Sequence, residues 1–363
     1  MIINKVLAIC LSPDRGGLEL YFLKFIEYYR GMGLHLHVGC SKNSYISDNT
    51  TGSKVEIFQK GFFRKIKNIF LLRRYIIDNN LNILHISWGK DIFLAVMLKL
   101  LTPGSIKIVF YRQMKISRPK KDFYHRFIYK HIDIFLVITD KLKNEAYNYL
   151  PIPKRRIKKL TYGIKTPPSG SIINKNEFFE NNNINPEIFS IGVFSRIEEQ
   201  KGQHLVLDAI NQCTHEIQLC IIGHSMCKDY ENRLVRDAAN YNLSDYLRFI
   251  NFVESPMSYM PCFDLIILPT YEETFGLIVA EAMLMKVPVI GSNAGGVPEI
   301  ISSDYNGLLF ESKNAIDLSN KIDIVLQNIS LREKLISNGY KFANNEYNYQ
   351  KHFDRLEKII NSL

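Results

Sequence analysis

Short apolar runs rich in β-branched residues alternate with longer segments of helical period along the whole chain, and the alternation runs through twice. Near-continuous apolar strands separated by helices must be covered on both faces, which is the condition of a parallel sheet wound on both sides. In the first half, residues 6–11, 35–40, 83–87, 107–111, 134–138 and 158–162 read as strands, most of them followed by a loop and a helix. In the second half, 190–194, 217–222, 247–252, 265–268 and 287–291 are strand-like, with helices expected to begin near Gly202, Lys228, Phe275 and Pro298. Pro167-Pro168-Ser169-Gly170 and the Asn-rich stretch up to Pro186 form the one segment with the composition of a linker. The chain is therefore expected to be α/β, with two doubly wound, Rossmann-like domains. An N-terminal domain over 1–170, a linker over 171–187, a C-terminal domain over 188–345 and a helix over 346–363 that crosses back to the N-terminal domain complete the expectation. Ligands of such sheets bind beyond the carboxyl ends of the strands, and two sheets facing one another enclose a central cleft.

Composition supports cores of that size and divides the two halves. Of 363 residues 46% are hydrophobic, which excludes a disordered or collagen-like chain, and six cysteines diluted in that length exclude a small disulfide scaffold. The cysteines contain no C-x-x-C pair and match no common zinc spacing, so buried free thiols are expected. The formal charge of +10 is uneven: residues 1–185 carry 31 basic and 13 acidic side chains, a net of +18, while 186–363 carry 15 and 23, a net of −8. No run of about 18 uncharged apolar residues occurs, so no membrane span is expected. The first ten residues hold a lysine inside a short apolar run and no small-residue cleavage site. They read as a first buried strand and not as a signal peptide, which implies the cytoplasm.

The densest chemical signal runs from Pro269 to Met283. A buried strand ends at Pro269, a loop carries Glu272 and Glu273, and Gly276 opens a helix whose backbone N–H groups, at Phe275, Gly276 and Leu277, can receive phosphate oxygens. Glu273 on the loop and Glu281 within the helix can face one elongated ligand. A carboxylate accepts two hydrogen bonds at once, which suits the vicinal hydroxyls of a ribose or a hexose. A second cluster, Gly192 to Gly202, delivers Ser195 and Arg196 to a strand's carboxyl edge, with Lys201 in the following loop. Arginine's planar fork and lysine's mobile charge make a diphosphate the natural ligand. No Asp-x-Asp pair occurs, so no metal clamp for a sugar nucleotide is expected, and the charge of a leaving diphosphate falls to Arg196, Lys201 and the helix terminus. A third cluster, Ser12 to Glu19, follows the first strand, where Gly16 and Gly17 let backbone approach a phosphate or sugar closely.

Together with Ala294-Gly-Gly-Val-Pro-Glu299 and Asn306-Gly-Leu-Leu-Phe310, these clusters make the chain resemble the retaining, nucleotide-sugar-dependent glycosyltransferases of family four, which have the GT-B fold. The resemblance spans nearly the whole length and is most specific in the C-terminal half, where the E-x7-E pattern, Ser195-Arg196 with Lys201, and the A-G-G-x-P-E run occur in family order. It implies that Glu273 contacts the donor sugar at its reacting end, that Glu281 binds the ribose, and that Arg196 and Lys201 bind the diphosphate. Thr274, Phe275, Gly276 and Leu277 would supply backbone donors, Gly16 and Gly17 would lie against the donor phosphate, and the base would lie near Phe252 and Val253. Family members commonly carry a histidine after the fifth N-domain strand, where this chain reads Tyr111-Arg112-Gln113-Met114. Neither Arg112 nor Gln113 is a general base near neutral pH, so both are read as positioning residues for donor or acceptor. Same-face attack, with the leaving phosphate taking the acceptor proton, needs no enzymatic base.

The basic half suggests the acceptor side. Residues 60–74 join Lys60, Arg64, Lys65, Lys67, Arg73 and Arg74 to bulky apolar residues, the composition of an amphipathic helix that lies on anionic lipid. Arg118, Lys120 and Lys121 are expected on a mobile loop at the cleft mouth, holding a lipid-linked diphosphate acceptor. No nucleic-acid module is recognisable, so nucleic acid is disfavoured as a partner. The expected activity is transfer of a hexose or N-acetylhexosamine from a nucleotide diphosphate sugar, with UDP as the expected nucleotide and no cofactor or metal. The acceptor is a lipid-linked saccharide of lipopolysaccharide, O-antigen or capsule, met at the inner face of the cytoplasmic membrane, to which the protein binds peripherally. The alternatives are a UDP-sugar 2-epimerase of the same fold and a non-catalytic sugar-nucleotide-binding protein.

Overall fold

The computed structural model describes residues 4–57 and 62–363. Lys60 lies outside the described residues, as do the side chains of Arg64 and Lys65, so that part of the expected basic helix is not characterised. The chain divides into two compact units, Met1–Tyr162 with Gln350–Leu363, and Gly163–Tyr349.

The first unit holds seven strands: β1 (Val6–Cys10), β2 (Leu36–Ser41), β3 (Lys54–Ile57), β4 (Ile83–Ile86), β5 (Lys107–Arg112), β6 (Ile134–Val137) and β7 (Ile157–Lys159). All pairs are parallel, in the order β3-β2-β1-β4-β5-β6-β7. The second unit holds β8 (Phe189–Phe194), β9 (Ile217–Ile222), β10 (Leu247–Ile250), β11 (Leu265–Leu268), β12 (Val289–Ser292) and β13 (Leu308–Phe310), again all parallel, in the order β10-β9-β8-β11-β12-β13. The winding reverses between β1 and β4 and between β8 and β11, the positions where doubly wound sheets take ligands. β1, β4 and β11 are buried at every residue, as strands covered by helices on both faces must be.

Several segments differ from the expectation. β3 and β13 are edge strands absent from that expectation: Lys54 and Glu56 of β3 are exposed, as a partly covered edge allows, whereas Leu308–Phe310 of β13 is apolar and largely buried but only three residues long. Near Pro298 there is only a 3₁₀ turn, Val297–Glu299, and the next α-helix starts at Ala315. Asn306 explains the stop. Its amide donates to Ile300 O at 3.0 Å and its Oδ1 accepts from Ser302 N–H at 2.8 Å, which takes the backbone groups a helix would have used. The expected linker is ordered within the second unit: Asn174 caps the helix Lys175–Asn181, accepting from Glu177 N–H at 3.1 Å, and Phe178 and Phe179 are buried with ring centroids 5.9 and 6.4 Å from Phe263. The C-terminal helical stretch is two helices, Ile329–Glu346 and Tyr349–Asn361.

The last helix is anchored in the first unit by aromatic and imidazole contacts. Phe353 stacks on Tyr28 at 4.1 Å between ring centroids. His352 Nδ1–H donates to Thr161 O at 2.6 Å, so its Nε2 accepts from Tyr21 OH at 2.7 Å. On β4, His85 lies flat against Phe25 at 4.4 Å, fully buried, and neither ring nitrogen has a partner among the described residues. Burial pushes His85 down to about 3 and His352 to about 4 from an ordinary 6.5.

Both folded-state values are depressed, so below about pH 6.5 the unfolded chain takes up protons that the folded one refuses, and stability falls as pH is lowered toward 4. Leucine at His85 removes two unpaired buried nitrogens and should raise stability at pH 7 by about 1 kcal/mol. The loss between pH 7 and pH 5 should also be shallower than in the wild type. Urea unfolding at the two pH values reads both effects, and an unaltered pH dependence would contradict the assignment.

Candidate functional site

The loops at the carboxyl ends of the second unit's strands gather most of the residues singled out from sequence. The loop after β11 is held on two sides by glycine. Gly295, at φ +64°, lies so close that a Cβ would stand 1.8 Å from Glu273 O, and its neighbour Gly296 donates its N–H to that carbonyl at 2.8 Å. On the other side Gly202, at φ +72°, leaves room for Pro269 O, which a Cβ would meet at 2.3 Å. Tyr271 N–H donates to Gln200 O at 3.0 Å, tying the same two loops through backbone. Only glycine permits either approach.

Within that clamp Lys201 Nζ lies 3.1 Å from Glu273 Oε2, and Glu273 Oε1 accepts from Thr274 N–H at 3.2 Å. Gly276 then opens the helix Leu277–Leu284, whose first turn carries no side-chain cap and no acidic residue. Its terminus offers Leu277 N–H and the positive end of the helix dipole to an anion. Phe275 is buried, with its ring edge-on to Tyr347 at 5.4 Å, and Glu281 is buried on the same helix. Ser195 Oγ accepts from Gln203 Nε2 at 2.9 Å, and the same amide donates to Arg196 O at 2.8 Å, which fixes the end of β8. Arg196 Nη2 pairs with Glu198 at 2.9 Å. Each of the two expected diphosphate cations is thus held by a carboxylate, Arg196 by Glu198 and Lys201 by Glu273.

Phe252 and Val253 follow β10, and Phe252 is half-exposed with His224 at 6.0 Å between ring centroids. His224 was not singled out from sequence. It stands in the loop after β9, next in the series of strand-end loops, and its backbone carbonyl accepts from Ile197 N–H at 3.0 Å. The two rings meet at an interplanar angle of 65° beside the end of β10.

In the first unit, Gly16 is the N-cap of the helix Gly17–Gly31 after β1, and Glu19 in its first turn is buried. The β1 end is braced by Asp91, whose Oδ2 accepts from Leu11 N–H at 3.0 Å; burial pushes that carboxyl up to about 7. The expected positioning residues separate. Arg112 donates from Nε to Met114 O at 2.6 Å and from Nη2 to Lys115 O at 2.7 Å, so its guanidinium is engaged by carbonyls of its own loop. Gln113 is buried with Oε1 accepting from Tyr162 OH at 3.1 Å, and its Nε2 has no partner among the described residues. The loop with Arg118, Lys120 and Lys121 is anchored and not loose: Lys120 N–H donates to Tyr149 O at 2.8 Å, and Arg126 Nε donates to Lys121 O at 2.8 Å.

Comparisons with known proteins agree with this architecture. Residues 174–342 match the family described as Glycosyl transferases group 1. An uncharacterized glycosyltransferase of Methanocaldococcus jannaschii is 31% identical over 189 residues, 50% of this chain and 52% of that one. The capsular polysaccharide biosynthesis glycosyltransferase CapM of Staphylococcus aureus is 26% identical over 181 residues, 48% of this chain and 46% of its own. The matched stretch thus spans about half the length of these relatives. The crystal structure of Anabaena HepE in complex with UDP superposes with a TM-score of 0.85 over 99% of this chain and 100% of that one, at 17% identity. The fold is GT-B, two Rossmann-like domains, as the resemblance implied.

The glycine contacts yield a direct test. Gly295→Ala and Gly202→Ala should each destabilise the protein by at least about 2 kcal/mol, because a Cβ meets backbone in a left-handed conformation. Gly17→Ala, at a helix start with open space around it, should be close to neutral. Urea midpoints compare the three, and equal midpoints would show that the loops yield easily.

Proposed function

We propose, from a second unit whose residues 174–342 match the group 1 glycosyl transferases, that the protein is a retaining glycosyltransferase of surface polysaccharide synthesis. The observation that carries the reading is the Lys201–Glu273 pair set beside an uncapped helix start at the carboxyl ends of β8 and β11. In this reading the second unit takes a nucleotide diphosphate sugar. The diphosphate lies on Lys201, Arg196 and the Leu277 terminus, the ribose on Glu281, the base by Phe252 and Val253, and the sugar against Glu273. UDP is the preferred nucleotide, a choice supported by the UDP bound to a protein of the same fold.

The acceptor hydroxyl attacks the anomeric carbon on the face that the diphosphate leaves. The carbon–oxygen bond to phosphate breaks as the new glycosidic bond forms, and the hydroxyl proton passes to the departing phosphate oxygen. The two cations and the helix terminus stabilise the charge that develops on the diphosphate, a role for fixed groups that needs no metal held by the protein. Gln113, whose buried amide Nε2 has no partner among the described residues, positions a sugar hydroxyl in the first unit once that amide is uncovered, while Arg112 braces its own loop.

The acceptor is a lipid-linked saccharide, met at the inner face of the cytoplasmic membrane. Among the described residues no helix is long and apolar enough to cross a bilayer, so binding is peripheral in this reading. Its support is the first unit's surface. Phe123 is 88% exposed on the helix Phe123–Lys130, Tyr124 stacks on the exposed Phe93 at 6.5 Å, and Phe70 and Phe127 are exposed as well. Arg118, Lys120, Lys121, Arg126 and Lys130 flank the aromatic group with one acidic neighbour, Asp122. Bulky apolar side chains in a cationic rim fit an anionic interface.

Two experiments test the reading. Thermal-shift measurements with UDP, GDP and their sugar conjugates should show a response to UDP and none to GDP. Glu273→Ala should keep the fold and abolish transfer to lipid-linked acceptors, and turnover at the wild-type rate would sink the assignment. Separately, sedimentation with phosphatidylglycerol vesicles should weaken with salt and with Phe123→Ser or neutralisation of Lys67, Lys120 and Lys121, whereas phosphatidylcholine vesicles should bind little. Binding indifferent to salt and to these changes would exclude the membrane surface.

A further inference from the structure

His204 is buried on the helix Gln203–Ile210, directly after the loop that carries Lys201. Both of its ring nitrogens are engaged: Nδ1 lies 2.8 Å from Tyr230 OH and Nε2 lies 2.7 Å from Tyr271 OH. Each tyrosine ring stands edge-on to the imidazole, with interplanar angles of 89°. A third bond fixes the direction of the chain. His204 backbone N–H donates to Tyr230 OH at 3.2 Å, so that oxygen already serves as an acceptor. Were it to accept from Nδ1 as well, the buried Tyr230 hydroxyl would be left without an acceptor among the described residues, at a cost of about 1–3 kcal/mol. Tyr230 therefore donates to Nδ1, the imidazole hydrogen sits on Nε2, and Nε2–H donates to Tyr271 OH. Burial, and then the nearby Arg233, hold the His204 pKa below its ordinary value, in keeping with one neutral tautomer.

The three side chains connect the two ends of the candidate site. Tyr230 lies in the first turn of the helix Lys228–Asn240, which follows the loop holding His224 after β9. Tyr271 is two residues before Glu273, and Lys313 Nζ lies 4.7 Å from the centre of its ring. Besides the glycine contacts and the Lys201–Glu273 pair, the donor loop is tied to Gln200 O by Tyr271 N–H and the Thr270 hydroxyl and to His204 by the Tyr271 side chain, and this last tie reaches past the Lys201 loop to the β9 side.

We infer that His204 is a positioning residue of the transfer reaction, holding the Glu273 loop in register through Tyr271 while being oriented by Tyr230; this rests on the reading of Glu273 given above. A displacement of about 1 Å at a reacting group can cost on the order of 100-fold in rate, so a strut that acts on the carboxylate's loop bears on turnover more than on donor affinity.

Half-strut variants separate this role from general support of the fold. In His204→Gln the amide N–H can reach Tyr271 from the Nε2 position, whereas in His204→Asn the carbonyl can still accept from Tyr230 but nothing reaches Tyr271. The probe is whichever of UDP-glucose, UDP-galactose, UDP-N-acetylglucosamine and GDP-mannose the wild type cleaves. Tyr271→Phe and His204→Asn should each lower kcat about tenfold with KM within about twofold, and His204→Gln should recover most of the rate. The Tyr271→Phe/His204→Asn double variant should lose no more than either single one. Equal losses for Gln and Asn, additive losses, or a rise in KM at unchanged kcat would overturn the proposal. Nitrogen-15 spectra of the histidines at pH 7 give a second readout that involves no sugar nucleotide. His204 should show the Nε2–H tautomer, with a resonance displaced by Tyr271→Phe; an Nδ1–H tautomer or an unmoved resonance would overturn the polarity. A wild type that cleaves none of the four donors sinks the transferase reading and the role assigned at Glu273 with it, while the spectra still decide the strut.

Discussion

The candidate site depends on a contact that no side chain makes, the approach of Gly295 and Gly296 to the backbone of Glu273 and Thr274. A Cβ at Gly296 would lie 2.3 Å from Thr274 O, closer still to Glu273 O at Gly295, so the β12 loop rests directly on the β11 loop. Gly202 does the same from the β8 side at Pro269 O. With backbone pressed against backbone on both flanks, the loop between Pro269 and Gly276 has little freedom, and the Lys201–Glu273 ion pair and the free helix start at Leu277 follow from where that loop is held. The parallel sheet of the second unit puts the ends of β8, β11 and β12 side by side, and the glycines set the spacing between their loops.

Most of the interior strands were legible because burial on both faces leaves an unbroken apolar run: Leu265-Ile-Ile-Leu268 and Ile217–Ile222 coincide with the strands read from sequence. The pattern failed where burial is partial or where a side chain overrides the backbone. Lys54-Val-Glu-Ile57 pairs only with β2, so nothing obliges its outer residues to be apolar. Asn306 ended a helix that the run after Pro298 otherwise invites, and Phe178-Phe179 turned an Asn-rich stretch into a packed helix. For the site, residue types near strand ends were readable, since Glu273, Lys201 and Ser195 all stand there. Their partners were not, because pairing across loops has no fixed spacing: Glu198 for Arg196, the carbonyls of Met114 and Lys115 for Arg112, and Tyr230 and Tyr271 for His204. The latter three lie 26 and 67 residues apart in sequence, and no periodicity links them.

The charge asymmetry of the sequence also changes meaning once partners are known. Part of the positive excess of the first half serves its own architecture. Arg73 Nε donates to Leu101 O at 2.7 Å, Arg156 Nη1 to Lys130 O and Ile132 O at 2.9 and 3.0 Å, and Lys99 Nζ to His131 O at 3.0 Å. Such cations satisfy the carbonyls left over at helix ends and complement the helix dipole. They are local reinforcement, and they are not available to a distant anion in the way free surface lysines are. The cations left to an external partner are therefore fewer than the net charge suggests, and those around Phe123 stand beside exposed aromatic surface.

The ion pair at the centre of the site sets a condition on any anionic ligand. Lys201 and Glu273 side chains are only 21% and 27% exposed, so the cost of desolvating both charges offsets much of their mutual attraction. A diphosphate carries more charge than one carboxylate and also gains the uncapped helix start, so it can take Lys201 from Glu273 at small cost. Glu273 does not then swing free. In the proposed reaction its Oε1 retains the hydrogen bond from Thr274 N–H and its backbone carbonyl the one from Gly296, so that only Oε2 changes partner. In the proposed reaction the oxygen released by Lys201 is thereby presented, already oriented, to a sugar hydroxyl attached to the same diphosphate. Binding the anion and exposing the carboxylate become one event, which gives the eight-residue spacing of Glu273 and Glu281 a reason to begin on a clamped loop and end on a helix.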